Sequence, residues 1–543
     1  MAKTEIVSRI SNLVYRVKGW IRRNRLETLI LLTILLIGAF FRLYKIDEYM
    51  TFLGDEGRDV IVVGRLLTDF DPILVGPGTS IGNMYLGPLY YYMMAPALLL
   101  ANFSPVGPAV MIALLGVATI FFVWFVTREW FYKEGLEPER VAWGALIAAG
   151  LYAISPTVII YSRSSWNPNI MPFFALLSIY SVWQFWEKHK FKWLVVSGIS
   201  MAFALQSHYL GLLLIPVIGL FWLLTFIKVK GKAHVVKELI KNTIYGGLVF
   251  LLLMSPLIIF DARHEWRNFE AAKIFFTQRQ TTISARPWTA LPEIPDIFIK
   301  MVTRLVAGTS EFAGSIYSKV LTLLVGGSFL LAYFKSNFSK DPAARQRIKA
   351  YLLIFVWLGV ALVGLGVYKQ EIYDHYYGFF FSAPFLLIGV LIQEIFALGS
   401  KSISFPTFFG ISIILYFLIS VNLHNNPLRY PPNRQLQRTI EVVKAVTQYS
   451  EGKPFNFAVI AERNYEGAYM YFFEMWGIPA YIPIADILDE TLKDQLFVVC
   501  EVTGERCNPE TNVRPELTNF GWRKVVASWE VAGFTIHKVI HAQ

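Results

Sequence analysis

Cysteine is almost missing from this chain. Two residues in 543, Cys500 and Cys507, exclude a thiolate metal cluster and a disulfide framework. If their region lies outside the cytoplasm, a bridge closing this short loop is one reading; two unrelated thiols is the other. Charge is scarce as well. Only 16% of residues are charged, against roughly 25% in soluble domains. With 55% hydrophobic and 16% aromatic residues and a mean hydropathy of +0.47, the chain reads as a polytopic membrane protein. Residues 426–543 hold no Gly-x-Gly-x-x-Gly fingerprint and no catalytic cluster, and the chain shows no internal repeat and no low-complexity tract. The loops predicted to face the cytoplasm are too short to fold a Rossmann-like domain for a nucleotide sugar.

The net charge of +11 can suggest a nucleic-acid partner, but its distribution argues against one. The segments 1–26, 128–140, 187–193, 228–241, 335–349 and 397–404 hold 24 of the 50 Lys and Arg, which is the positive-inside bias of a membrane protein. The stretch 426–543 has 12 basic and 14 acidic residues, so the excess lies in the membrane part. No small-residue cleavage site follows the first apolar run. Residues 1–26 therefore read as a basic cytoplasmic flank to a retained first helix, resting on anionic lipid.

A helix needs roughly 20 apolar residues to cross the hydrocarbon. Eleven segments are candidates: about 27–45, 106–127, 141–160, 169–186, 192–207, 210–227, 242–260, 319–334, 350–368, 378–396 and 405–422. Eleven spans that start inside finish outside, and the Lys/Arg-rich loops then fall on the inner face of a plasma membrane. Residues 27–425 form the membrane domain, with long outer loops at 46–105 and 261–318. Residues 86–101 are too short to span and read as an interfacial helix with tyrosines at headgroup depth. Residues 55–67 read as a surface helix with Glu56, Val60, Val63 and Leu67 on one stripe, and Asp55 toward its edge. An acid on an apolar stripe needs a cation, a metal or a substrate as partner. After a Pro-rich linker, 426–543 reads as a small extracytoplasmic α/β domain. Its strands are expected at 455–461 and 496–502, its hairpin turns near Gly533, and helices are expected at 433–450, 465–476 and 486–493.

Five polar groups map to the outer ends of the spans under this topology. They are Gly54-Asp55-Glu56-Gly57-Arg58-Asp59; Tyr161-Ser162-Arg163-Ser164-Ser165-Trp166-Asn167-Pro168-Asn169; Gln206-Ser207-His208-Tyr209; Asp261-Ala262-Arg263-His264-Glu265; and Lys369-Gln370-Glu371 with Tyr373-Asp374-His375-Tyr376-Tyr377. A carboxylate near a hydroxyl can act as general base. Arginine can clamp phosphate with paired donors, and histidine can donate to phosphate or ligate a metal. Each has a plainer reading: His208 and His375 as helix caps, Arg163 paired with an acid or lipid, Asp261 and Glu265 as helix-start acids.

The Asp-Glu pair after the first span, followed by Tyr-Leu-Gly-Pro-Leu-Tyr-Tyr-Tyr, resembles the GT-C membrane glycosyltransferases. Within them it is most similar to the family 39-like group, which includes protein mannosyltransferases and lipid A aminoarabinose transferases. The resemblance covers roughly residues 27–420. It implies an inverting transfer of a sugar from a polyprenyl phosphate to a hydroxyl of a lipid, glycan or protein acceptor on the outer face. By position it makes Asp55 the base and Glu56 a positioning or metal-binding acid. Arg58, Arg163 and Arg263 become phosphate clamps, and Tyr90, Asn167, His208, His264 and His375 further substrate contacts. A divalent ion on Glu56 with His264 or His375 is the one cofactor it suggests. The chain departs from many relatives in carrying Asn167 and Asn169 where an acid is common. A transporter or flippase of lipid-linked sugars is the alternative from another class, and a glycan polymerase or ligase is a second enzyme alternative. Inverted repeats and charges at mid-bilayer would favour the transporter; here the charges gather at one edge.

Overall fold

The computed structural model describes residues 15–16, 18–79, 84–132, 141–278, 282–284, 286–338, 341–397, 405–484 and 488–542. The basic stretch 1–14 with residue 17, positions 80–83 of the Gly/Pro-rich piece, most of the loop 128–140, Lys340 and the loop 398–404 lie outside the described residues.

Every one of the eleven expected segments is helical, but not every one is a long apolar helix. Among the described residues, six single helices are long and apolar enough to cross a membrane: Arg25–Leu43, Val106–Phe131, Tyr209–Val229, Ala233–Arg263, Glu311–Phe338 and Pro342–Gly366. Asp374–Phe380 and Ala383–Phe396, bent by 54°, make a seventh if counted together. The remaining four are shorter or interrupted: the segment 141–160 is Trp143–Ile154 and Pro156–Ile160, broken where Pro156 cannot donate to the helical ladder. By length and composition six or seven of the eleven helical segments qualify as spans among the described residues, and the other four are shorter or broken apolar helices. Met171–Trp186 is almost wholly buried, so it has no need of a long lipid-facing surface.

Two polar ends frame the helices. At one end Glu27 accepts from the Trp124 indole and from Arg128, Arg347 pairs with Glu394, and Lys349 pairs with Glu187. These residues sit at the start of the first helix, the end of the second and the ends that alternate thereafter. The opposite end carries the long loops and the C-terminal domain.

That domain has a four-stranded sheet in the order β1-β2-β4-β3. Strand β1 (Asn456–Ile460) pairs parallel with β2 (Gln495–Cys500), and both are fully buried. Strands β3 (Arg523–Val531) and β4 (Phe534–His541) form the expected hairpin around Gly533, which adopts φ +77°. Cys500 and Cys507 are bridged, which decides between the two readings of the cysteines.

The domain is fastened to the first long loop by a helix crossing. Helix Gly54–Thr68 lies against helix Gly467–Met475, and a Cβ on Gly57 would overlap the backbone of Gly467 and Ala468. A Cβ on Gly467 would likewise overlap the Gly54 carbonyl. Glycines at these positions let the two backbones touch. Asn464 Oδ1 accepts from the Gly54 amide at 2.8 Å, and Arg65 pairs with Glu474 further along.

Candidate active site

The glycines of Gly-Asp-Glu-Gly face the C-terminal domain, and this sets where the acids point. Glu56 turns inward with Val60 and Val63, as the stripe predicts, and its Oε2 accepts from the Leu53 amide at 3.0 Å. The carboxylate therefore closes the N-terminus of its own helix. Burial, reinforced by the neighbouring charges of Asp55 and Asp59, pushes Glu56 up to about 7. Asp55 stands at the edge, its side chain 44% exposed. Its Oδ1 accepts from Arg58 Nη1 at 3.0 Å and from the Tyr465 hydroxyl at 2.9 Å. Both donors converge on one oxygen, so the carboxylate is held in orientation by a residue of its own helix and one from the C-terminal domain.

Arg58 is fully engaged with acids. Its Nε and Nη2 reach Asp59 Oδ1 at 3.0 and 2.7 Å. Asp59 is buried and also accepts from the Tyr91 hydroxyl at 2.9 Å. Burial raises Asp59 to about 6 despite the Arg58 guanidinium beside it. The tyrosine helix is thus not an interfacial belt along its whole length. Tyr92 is exposed, but Tyr90 and Tyr91 turn inward, and the Tyr90 hydroxyl meets Ser165 Oγ at 2.7 Å. The reason is that Asp59 and the 161–169 loop offer polar partners on the protein side.

Asp55 and Glu56 line a cavity of about 300 Å³. The 161–169 loop supplies Tyr161, Ser164, Trp166 and Asn169, and the C-terminal domain supplies Arg463 and Tyr465. Ser164 Oγ accepts from the Thr51 amide at 2.9 Å, which ties this loop to the start of the acidic turn. Tyr161 also lines a larger polar cavity of about 910 Å³, bordered by Lys300, Lys369, Glu371 and the Arg304–Asp374 ion pair.

Other expected site residues are placed differently. Arg163 is buried and donates to the carbonyls of Phe41 and Tyr44, with its guanidinium 5.2 Å from the Tyr49 ring. It caps the end of the first helix, whose last carbonyls have no helical partner, and it does not line the cavity. Asn167 is buried and donates to the Ser207 carbonyl at 2.7 Å, pinning two loops together. His208 Nδ1 accepts from the Leu210 amide at 3.2 Å, so its ring caps its own turn. The His375 ring packs on Trp166 at 4.7 Å and on His208 at 5.6 Å, one layer behind the cavity wall. Arg263 is exposed at the end of helix Ala233–Arg263. His264 Nδ1 lies 2.7 Å from the Phe260 carbonyl, and its ring stacks on Phe260. Neither lines the cavity with Glu56, so the Glu56–His264 metal pair is not brought together. Among the described residues, the group of three metal-ligating types within reach of one another is Cys500, Cys507 and His537, and its two sulfurs are already bonded.

Sequence reasoning missed Arg463, Asn464 and Tyr465. They follow the C-terminal end of β1, the place where ligands gather in open α/β sheets, and that was the available signal.

The pattern of the Dolichyl-phosphate-mannose-protein mannosyltransferase family matches residues 86–260, under half of the chain. No curated protein matches the sequence. Among solved structures, ArnT from Cupriavidus metallidurans bound to undecaprenyl phosphate is 13% identical with a TM-score of 0.52, over 96% of this chain and 98% of that one. Its apo state gives a TM-score of 0.53 at 13% identity and the same coverage. The archaeal oligosaccharyltransferase AglB from Archaeoglobus fulgidus, in complex with an inhibitory peptide and a dolichol-phosphate, is 12% identical with a TM-score of 0.51, over 88% of this chain and 70% of that one. In fold, and in sequence pattern over residues 86–260, the chain is similar to the GT-C-type membrane glycosyltransferases.

Proposed function

We propose that the protein transfers a sugar from a polyprenyl-phosphate-linked donor to an acceptor hydroxyl, with inversion and with Asp55 as general base. The observation that carries this reading is Asp55 itself, exposed at a cavity wall and oriented through Oδ1 by Arg58 and Tyr465. Its Oδ2 takes the acceptor proton. The acceptor oxygen forms its bond to the anomeric carbon as the bond from that carbon to the phosphate oxygen breaks. The electron pair leaves with the lipid phosphate, where fixed positive charge favours the developing anion. Two cavities that meet at Tyr161 offer room for two substrates. An apolar groove of about 720 Å³, walled by the first helix, Trp143–Ile154 and Leu415–Leu423, suits a hydrocarbon chain.

Neither His264 nor His375 lines the cavity with Glu56, so no step is routed through an ion held by those pairs. Glu56 acts instead as a positioning residue that holds the turn carrying Asp55. The experiment is transfer from a panel of radiolabelled polyprenyl-phosphate sugars in membranes, with wild type and Asp55→Asn. Asparagine still accepts from Arg58 and Tyr465 but takes no proton. Transfer should fall by about a hundredfold or more while the melting temperature holds. Full activity in the variant removes Asp55 as the base.

A further inference from the structure

We infer that the C-terminal domain completes the donor site. Arg463 binds the donor phosphate, and Asn169 across the cavity accepts a hydroxyl of the donor sugar. This rests on the glycosyl-transfer reading above and gives roles to Arg463, which the sequence analysis did not single out, and to Asn169, which it named without a role.

Of the three arginines expected at the phosphate, Arg58 has its donors on Asp55 and Asp59, Arg163 caps carbonyls of the first helix, and Arg263 lies elsewhere on the surface. Among the residues lining the Asp55 cavity, Arg463 is the cation. It makes no side-chain hydrogen bond or ion pair to any described residue, although two carboxylates line the same cavity. A guanidinium presents five donors in a planar fork that matches phosphate oxygens. Its position is not accidental to the loop. Asn464, the next residue, accepts from the Gly54 amide, and Tyr465 donates to Asp55, so Arg463 is carried on a segment fixed at two points to the acidic turn.

Asn169 supplies an independent observation. It lines the same cavity and is 9% exposed. Its Nδ2 donates to the Ser164 carbonyl at 2.8 Å, which fixes the orientation of the amide. Its Oδ1 is buried and has no donor among the described residues. A buried acceptor without a donor is costly, and a sugar hydroxyl arriving in the cavity supplies the proton. An anion at Arg463 and a hydroxyl at Asn169 together describe a sugar phosphate. As the sugar leaves, Arg463 stabilises the charge that collects on the lipid phosphate.

The test uses the full-length protein in detergent and undecaprenyl phosphate as probe. Wild type, Arg463→Ala and Arg463→Lys are compared for binding, and each is melted to check its fold. Arg463 makes no side-chain hydrogen bond or ion pair among the described residues and lies at the surface, so the melting temperatures should agree. Arg463→Ala should weaken binding by about tenfold or more, the loss of a charge-assisted pair, with lysine restoring part of it. Equal affinity in wild type and Arg463→Ala overturns the assignment. Wild type that binds no polyprenyl phosphate overturns the underlying reading instead. Asn169→Ala should raise the KM for whichever sugar donor is consumed and leave undecaprenyl phosphate binding unchanged, since that probe has no sugar. Loss of binding to both makes Asn169 a structural residue and removes the sugar contact.

Discussion

Glu56 is an acid taken out of water by its own helix. Its carboxylate closes the helix N-terminus through the Leu53 amide and shares its buried helix face with Val60 and Val63. Burial raises its folded value from 4.5 to about 7. Between those pH values the folded protein holds a proton that the unfolded chain has released. Stability therefore falls as pH rises through this window and levels off above it. Asp59, raised from 3.8 to about 6, acts in the same direction at slightly lower pH. Glu56→Gln keeps an oxygen for the Leu53 amide but has no charge to desolvate. Thermal melts in detergent should show the variant matching wild type at pH 4 and exceeding it at pH 8 by up to about 3 kcal/mol, the worth of that shift. A constant gap between the two at every pH would assign the slope to other groups.

Helix ends and helix crossings explain why several residues serve structure where chemistry was expected. Arg163 caps the first helix, and Arg42 donates to Gly38 and Ala153, whose carbonyl is left open by the break at Pro156. An arginine at a membrane edge looks the same in sequence whether it meets a carbonyl or a phosphate. The Gly54-x-x-Gly57 spacing is equally silent, because its partner Gly467 lies some 410 residues away along the chain. The crossing makes a sharp prediction. Gly57→Val places side-chain atoms against the backbone of Gly467 and Ala468, which cannot give way, whereas Gly64→Ala on the same helix meets only Met475 Sδ at 4.0 Å. The first should cost about 1–3 kcal/mol or more and open the linker after Asn425 to limited proteolysis, and the second should do neither. Equal protection of both variants would show that the domain is held elsewhere. What was legible here was local: the 56–60–63–67 stripe, the buried strands, and the hairpin at Gly533 all follow from period and turn chemistry. What was not legible needed two distant segments at once, as with Tyr465 on Asp55 or Asn167 on Ser207.

At the scale of the whole molecule, the two polar ends differ in kind. One end is a lattice of ion pairs that ties helix termini together: Arg128 to Glu27, Arg347 to Glu394, Lys349 to Glu187. The other end holds the cavities, the long loops and the sheet, and every acid of the Asp55 group lies there. From the Lys/Arg bias we propose that the first end faces the cytoplasm. The site and the C-terminal domain then face outward, where a disulfide such as Cys500–Cys507 persists. Single cysteines distinguish the two ends, because the native pair is bridged and silent to thiol reagents. Trp522, 88% exposed on the sheet domain, marks one end, and Lys190, exposed in the short turn after Trp186, marks the other. On intact cells a membrane-impermeant maleimide should label Trp522→Cys and spare Lys190→Cys until the membrane is opened. Labelling of Lys190→Cys alone would turn the molecule over. It would put Asp55 on the cytoplasmic leaflet, and the donor would then have to be reached from that side.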